Sequence, residues 1–335
     1  MPTGKSFTTL VAVGVIITSC ASNEDLKDSP AEGRGPDGGP GQARPGEGPS
    51  PPAKPTPEQV AAGARGYATV FCEKAASCAP WYIPRTYGTI AACIARNLTE
   101  QAATVTATDS SRSLAMLESC ASSRAAQACE DFGSVLPEAC RVAPGPRPAG
   151  APCSFGDQCQ GRACERTPQS PCGLCAERKG PNGACVNDTT CEEELTCAKG
   201  ICVPIGGTGA ACDLAHPCRF RLTCTSGKCE LIQPGAACEA SKRDCGFGLT
   251  CLDKANSKTC EITKYVSAGE KCGWVNQNYT EYQDCLAAYC TLNPWFGTCP
   301  SISEDGASCD ASRVCLVPAV CEQGLCQLPD RTRCK

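Results

Sequence analysis

The placing of apolar residues divides this chain into four stretches. Phe7 to Ile17 is an almost unbroken apolar or small run behind Lys5; at about a dozen residues it is shorter than the roughly 20 that span a bilayer. Residues 20–55 have no apolar periodicity, and Pro, Gly, Ser and charged residues dominate, as in Arg34-Gly35-Pro36-Asp37-Gly38-Gly39-Pro40. A stretch of this kind cannot offset its ordering entropy, so an extended tether is expected there. From Thr56 the period becomes helical. Thr56-Pro57-Glu58-Gln59 reads as a capping box with proline at the first helical position, and Val60, Ala64, Tyr67 and Phe71 then share one face. Further helices are expected from Tyr87 to Gln101, from Ser111 to Cys120, and in a shorter piece from Arg124 to Cys129. Cys72, Cys78, Cys93, Cys120, Cys129 and Cys140 lie among them. On one helix Cys72 and Cys78 would stand about 120° apart in azimuth, so they should take different partners. Fifteen connectivities of these six are open. The Pro/Gly run from Pro144 to Pro152 ends this part.

Beyond Cys153 cysteine sets the period instead. Gly150, Gly209, Gly235, Gly269 and Gly306 each stand three residues before a cysteine, and Gly183-Ala184-Cys185 reads as a shortened form. Leu-Thr-Cys recurs at Cys197, Cys224 and Cys251, and a glycine returns before the fourth cysteine at Gly200, Gly227, Gly297 and Gly324. Three units share the spacing C-x5-C-x5-C-x4-C, and those around Cys238 and Cys272 are stretched versions. A register this regular marks a tandem array. The glycine near the end of each unit fits a tight hairpin turn. Four cysteines allow three pairings, and a crossed one gives the most compact module. It would join Cys185 to Cys197 and Cys191 to Cys202, Cys212 to Cys224 and Cys218 to Cys229, and Cys309 to Cys321 and Cys315 to Cys326. The expected fold is therefore small and disulfide-rich: a disulfide-clamped α-helical bundle over 56–141, then a rod of six tandem four-cysteine β-hairpin modules over 150–335.

Composition supports sulfur as the stabilising element. Cysteine is about one residue in ten, with 33 in the chain, and aromatics are only 5%. Modules of this size bury too little apolar surface to fold unaided, and each bridge should contribute roughly 2–4 kcal/mol. Such thiol density requires an oxidising compartment. A net charge of −4 leaves no footprint for nucleic acid. The odd count has a reading of its own. Ile17-Thr18-Ser19-Cys20 resembles the cleavage and acylation site of bacterial lipoprotein signals. That resemblance implies removal of residues 1–19, a diacylglyceryl thioether on Cys20 and acylation of the new amino terminus, a multi-chain anchor that holds stably. It leaves 32 cysteines, an even number, to pair. Ala21 after the cysteine implies, by the same likeness, the outer membrane, with the cell surface as a possible face.

Cys153, Cys159, Cys164, Cys172, Cys175, Cys185, Cys191, Cys197 and Cys202, with Cys172-Gly173-Leu174-Cys175 among them, resemble the amino-terminal cysteine-rich domain of the Dickkopf family. The likeness covers about fifty residues. It implies a small disulfide-rich β module, not the family's role as secreted animal signalling antagonists, which a lipoprotein signal contradicts. The family has adjacent cysteines where this chain has Cys191-Glu192. One thiol here is consequently left over, with Cys172 the candidate and the equally solitary Cys334 its candidate partner. The whole arrangement is similar to cysteine-rich lipoproteins of myxobacteria-like organisms.

Candidate chemistry is sparse. Only Cys172–Cys175 has zinc-knuckle spacing and His216 is the sole histidine, so disulfides are favoured over metal and no cofactor is expected. A redox role for Cys172-Gly173-Leu174-Cys175 lacks the βαβ context it needs. His216 has no nucleophile signature beside it and reads as an exposed loop residue. Glu192, Glu193 and Glu194 lack the alternating oxygens of a calcium loop and read as a solvated acidic turn. The sequons at Asn97, Asn187 and Asn278 carry little weight in a bacterial chain. The candidate binding patch is Trp274, Tyr279, Tyr282, Trp295 and Phe296, aromatics gathered on one enlarged loop. It reads either as a recognition surface or as a local mini-core. The expected function is non-enzymatic: a lipid-anchored cell-envelope protein, held to the membrane by its lipid, that binds a protein or glycan ligand, as in adhesion. The alternatives are a passive structural spacer and an extracellular protease inhibitor.

Overall fold

The computed structural model describes residues 54–166, 170, 172–186, 188–239, 245–254, 257–276, 280–290, 296–329 and 334. Four helices come first: α1 (Pro57–Cys78), α2 (Tyr82–Thr86), α3 (Ile90–Thr106) and α4 (Leu114–Ala126). The α1 start is the capping box: the Thr56 N–H donates to Gln59 Oε1 at 2.8 Å and the Gln59 N–H donates to Thr56 Oγ1 at 3.3 Å. Thr89 and Ser113 cap α3 and α4 through their hydroxyls. These caps shift the starts inward, because Tyr87 and Gly88 close α2 instead of opening α3. No separate helix runs from Arg124 to Cys129; α4 continues to Ala126, and its cap Gln127 holds the following turn through the Asp131 and Val135 carbonyls. Apolar side chains of α1 pack on α3 and α4: Ala64 and Tyr67 lie with Leu117 and Ala121, and Ala75 with Ile83 and Phe132. Cys72 bonds Cys93, Cys78 bonds Cys129 and Cys120 bonds Cys140, so the two α1 cysteines take different partners.

Small antiparallel strand pairs follow, one per cysteine unit. We number the units by their cysteines: module 1 (Cys153, Cys159, Cys164, Cys175), module 2 (Cys185 to Cys202), module 3 (Cys212 to Cys229), module 4 (Cys238 to Cys260), module 5 (Cys272 to Cys299) and module 6 (Cys309 to Cys326). In each, first bonds third and second bonds fourth, with Cα–Cα separations of 5.6–5.9 Å and 5.3–5.5 Å respectively. The structure thus brings together Cys185 and Cys197, Cys191 and Cys202, and their counterparts in modules 3 and 6. Cys172 bonds Cys334, so Cys172 and Cys175 have different partners.

Each module opens on a left-handed residue whose N–H donates to the carbonyl of the fourth cysteine, as Gly209 does to Cys229 at 2.8 Å. In module 2 that place belongs to Asn182 (φ 64°), which donates to Cys202 at 2.8 Å. Module 2 is consequently not shortened; asparagine, which tolerates this region better than other residues with a side chain, stands where the others carry glycine. The hairpin of module 2 turns on Lys199 and Gly200, both at positive φ, the two-residue turn that matches strand twist. Gly297 departs from the pattern: it lies in a strand opposite Cys272.

The modules do not form a rod. All six touch the helical part. Asp157 of module 1 pairs with Arg112, Glu193 of module 2 with Arg141, and Asp305, at the start of module 6, with Arg96. Phe220 of module 3 and Phe247 of module 4 meet Trp81. The Ala287 N–H of module 5 donates to Pro84 O at 2.8 Å. Cys172–Cys334 then ties the segment after module 6 to module 1. The array is a belt around a helical hub, closed by one disulfide.

Candidate binding surface

Module 5 and the strand Lys264–Val266 before it form a four-stranded sheet, in which Lys271–Trp274 runs antiparallel to Tyr282–Cys285. That register puts Trp274 opposite Tyr282, and their rings meet edge to face at 5.3 Å. Both side chains are half-buried, so this pair supports the sheet while keeping an outer edge. Phe296 lies in a strand opposite Gly273. Tyr279 and Trp295 lie outside the described residues, as do Asn187, Asn278 and Cys20. Tyr289, 61% exposed, has the Arg85 guanidinium 5.9 Å from its ring centre. In the same module burial raises the Asp284 carboxyl above its ordinary range, and it raises the Tyr265 phenol as well.

A second aromatic group, not foreseen from the sequence, joins hub and belt. Trp81 stacks on Phe247 at 5.2 Å and meets Phe220 at 5.3 Å, while Tyr82 approaches Phe220 edge-on at 6.1 Å. Burial raises the Tyr82 phenol well above its usual value. Arg219 beside it pairs with Asp131 at 2.9 Å, and the Phe220 N–H donates to Ser134 Oγ at 2.7 Å. The signal was present in the register. Phe220 and Phe247 are each two residues beyond the second cysteine of their module, and so are Glu193 and Ala287. In four consecutive modules that position meets the helices.

The acidic turn is not fully solvated. Glu192 and Glu194 are exposed, but Glu193 is only 9% exposed at its side chain and lies 3.3 Å from Arg141. With Ser134, Ile205 and Arg219 these residues line a cleft of about 380 Å³ between modules 2 and 3 and the hub. A longer, open groove of about 910 Å³ follows α1 and α4, lined by Gly63, Gly66, Tyr67, Leu114 and Ala121. His216 sits on an exposed turn, its Nδ1 3.0 Å from Asp213, whose carboxyl the Ala215 and His216 N–H groups hold below the usual range. Asn97 is buried and its amide donates to the Cys93 carbonyl at 3.0 Å, so this sequon offers no free nitrogen. Triads of cysteine sulfurs within 4.8 Å, such as Cys153, Cys159 and Cys175, have the proximity of metal ligands, but each sulfur is engaged in a crossed disulfide.

Comparison with protein-family models, with curated proteins and with solved structures finds no match to this chain. Among the described residues, no helix is long and apolar enough to cross a membrane.

Proposed function

We propose that this is a non-enzymatic, lipid-anchored protein of the bacterial cell envelope that binds a protein or glycan ligand through its stapled loops. Its architecture in this reading is a disulfide-clamped helical bundle carrying six hairpin modules, tethered at Cys20 through the Pro/Gly-rich segment 20–55. The observation that carries the reading is the closed belt. A spacer gains length from a free rod, whereas modules docked on a hub gain no length and gain fixed loop positions. Twelve crossed disulfides hold those loops, so little ordering entropy remains to be lost on binding. Exposed apolar side chains such as Tyr289 and Leu214 stand on them without being needed for a core. The membrane attachment rests on the Ile17-Thr18-Ser19-Cys20 motif.

The test uses intact cells. A photo-crosslinking amino acid at Tyr289 or Leu214 should give discrete adducts in the envelope, and Cys20→Ser should release the protein from the membrane fraction. An absence of adducts at every loop position would favour the spacer. Retention of the Cys20→Ser variant would remove the lipid anchor from the account.

A further inference from the structure

Cys172–Cys334 differs in kind from the other fifteen disulfides. It spans 162 residues, whereas the crossed pairs within modules span 11–18 and those of the hub 20–51. It joins Cys334, beyond module 6, to Cys172 of module 1's hairpin and closes the belt. It belongs to no crossed pair, so among the described residues no second bridge and no hairpin joins its two cysteines once it opens. What holds them is docking. The Arg147 guanidinium reaches three parts of the molecule there: Asp109 of the hub at 3.0 Å, the Pro152 carbonyl at 2.6 Å and the Cys334 carbonyl at 3.3 Å. Module 6 meets the helices through the Arg96–Asp305 pair, with one contact at 2.7 Å, and packs Val314 against the core of module 5.

We propose that Cys172–Cys334 is a redox-operated clasp: a dithiol reductant opens it before any other bond, switching the belt from closed to open with all six modules intact. A thiolate of the dithiol attacks Cys172 Sγ, on the more exposed of the two residues, since Cys334 is 6% exposed and Cys172 half-buried. The S–S bond breaks, Cys334 leaves as a thiolate and takes a proton, and a mixed disulfide forms on Cys172. The second thiol of the dithiol resolves it, freeing Cys172 as a thiol and leaving the reductant as its disulfide. Two electrons and two protons pass to the protein. Selectivity arises from the return step. A module bond broken at one sulfur faces its partner across a hairpin and recloses at high effective concentration, whereas the clasp thiols sit on different modules and separate as those modules move apart. Opening releases module 6 from module 1, which stays docked through Asp157 and Arg112, and changes the spacing of the loops the belt displays.

Exposure alone makes the opposite forecast. Cys224 and Cys321 are more exposed than Cys172, so reduction governed by accessibility would open Cys212–Cys224 and Cys309–Cys321 first. The experiment equilibrates the full chain in dithiothreitol buffers of graded reduced-to-oxidised ratio, traps free thiols with N-ethylmaleimide and maps the labelled peptides. Cys172 and Cys334 should be labelled together, at a ratio about tenfold less reducing than any other pair. Labelling of Cys224 or Cys321 first, or of all pairs together, overturns the proposal. A Cys172→Ser/Cys334→Ser variant supplies the second reading. Amides of module 6 near Arg96–Asp305 should exchange faster while the Cys326 N–H, bonded to Ala307 within its module, stays protected. Unchanged exchange at that joint also overturns it, and if this variant fails to fold the titration of the native chain still decides.

Discussion

The side chain of Asp157 is 2% exposed and lies 3.2 Å from the Arg112 guanidinium, itself 9% exposed, where the α3–α4 connection meets module 1. Gln101 Oε1 accepts a further bond from Arg112 at 3.3 Å. Burial raises the Asp157 carboxyl above its ordinary 3.8, and the Arg112 charge opposes that rise without cancelling it. A raised carboxylate is protonated more readily folded than unfolded. Its contribution is therefore most favourable at low pH and is lost as pH climbs through the folded value. Arg112→Ala should cost about 3–5 kcal/mol at neutral pH, since it strands a buried anion. The deficit should shrink as pH falls from neutral into the acid range, because the raised Asp157 carboxyl takes up its proton above the ordinary 3.8. Urea unfolding of both proteins across that range measures it, and a deficit independent of pH would mean that Arg112 acts through packing. Neither residue was legible in advance. An aspartate in a module loop and an arginine 45 positions earlier carry no periodic mark that pairs them.

Within an element, by contrast, the local rules were largely legible, because caps and turns depend on residues a few positions apart. Thr56 and Gln59 formed their box, and the cysteine register marked the hairpins. Gly183-Ala184-Cys185 reads as a shortened opening when glycine identity is the mark, whereas the conformation is what repeats: a left-handed residue three before the first cysteine, here Asn182. Helix ends moved by several residues for a similar reason, since Thr89 and Ser113 outcompete Tyr87 and Ser111 as starts by capping. This yields a prediction at Gly209, which holds φ +77° with nothing within 4 Å of an added Cβ. Gly209→Val should therefore destabilise module 3 by about 1–2 kcal/mol through backbone conformation alone. Gly209→Asn should cost clearly less, reproducing what module 2 does naturally. Hydrogen exchange at the Cys229 N–H, which donates to Ala210 in that module, reads both. Equal losses in the two variants would assign the effect to crowding, which the open space denies.

For the whole molecule, hub and belt are joined through a position that belongs to the repeat and not to any one module. A tandem array with free surfaces is the expectation when each unit is read by itself, which is why a rod was foreseen; the side chains that bend it into a belt, Glu193, Phe220 and Phe247, differ in chemistry though they share a place. Covalent closure through Cys172 and Cys334 fits this geometry, because two ends of a rod would lie far apart. If modules are stable individually and docked jointly, removing the shared ring should loosen docking and spare the modules. Trp81 is that ring, touching Phe220 and Phe247 at once, and a half-buried tryptophan truncated to alanine should cost about 2 kcal/mol of docking. In Trp81→Ala the Phe220 N–H, bonded to Ser134 of the hub, should exchange about 30-fold faster. The Cys229 N–H, bonded within module 3, should keep its native rate. If instead both amides accelerate together, the modules depend on the hub for their own folding, and sulfur alone does not hold them.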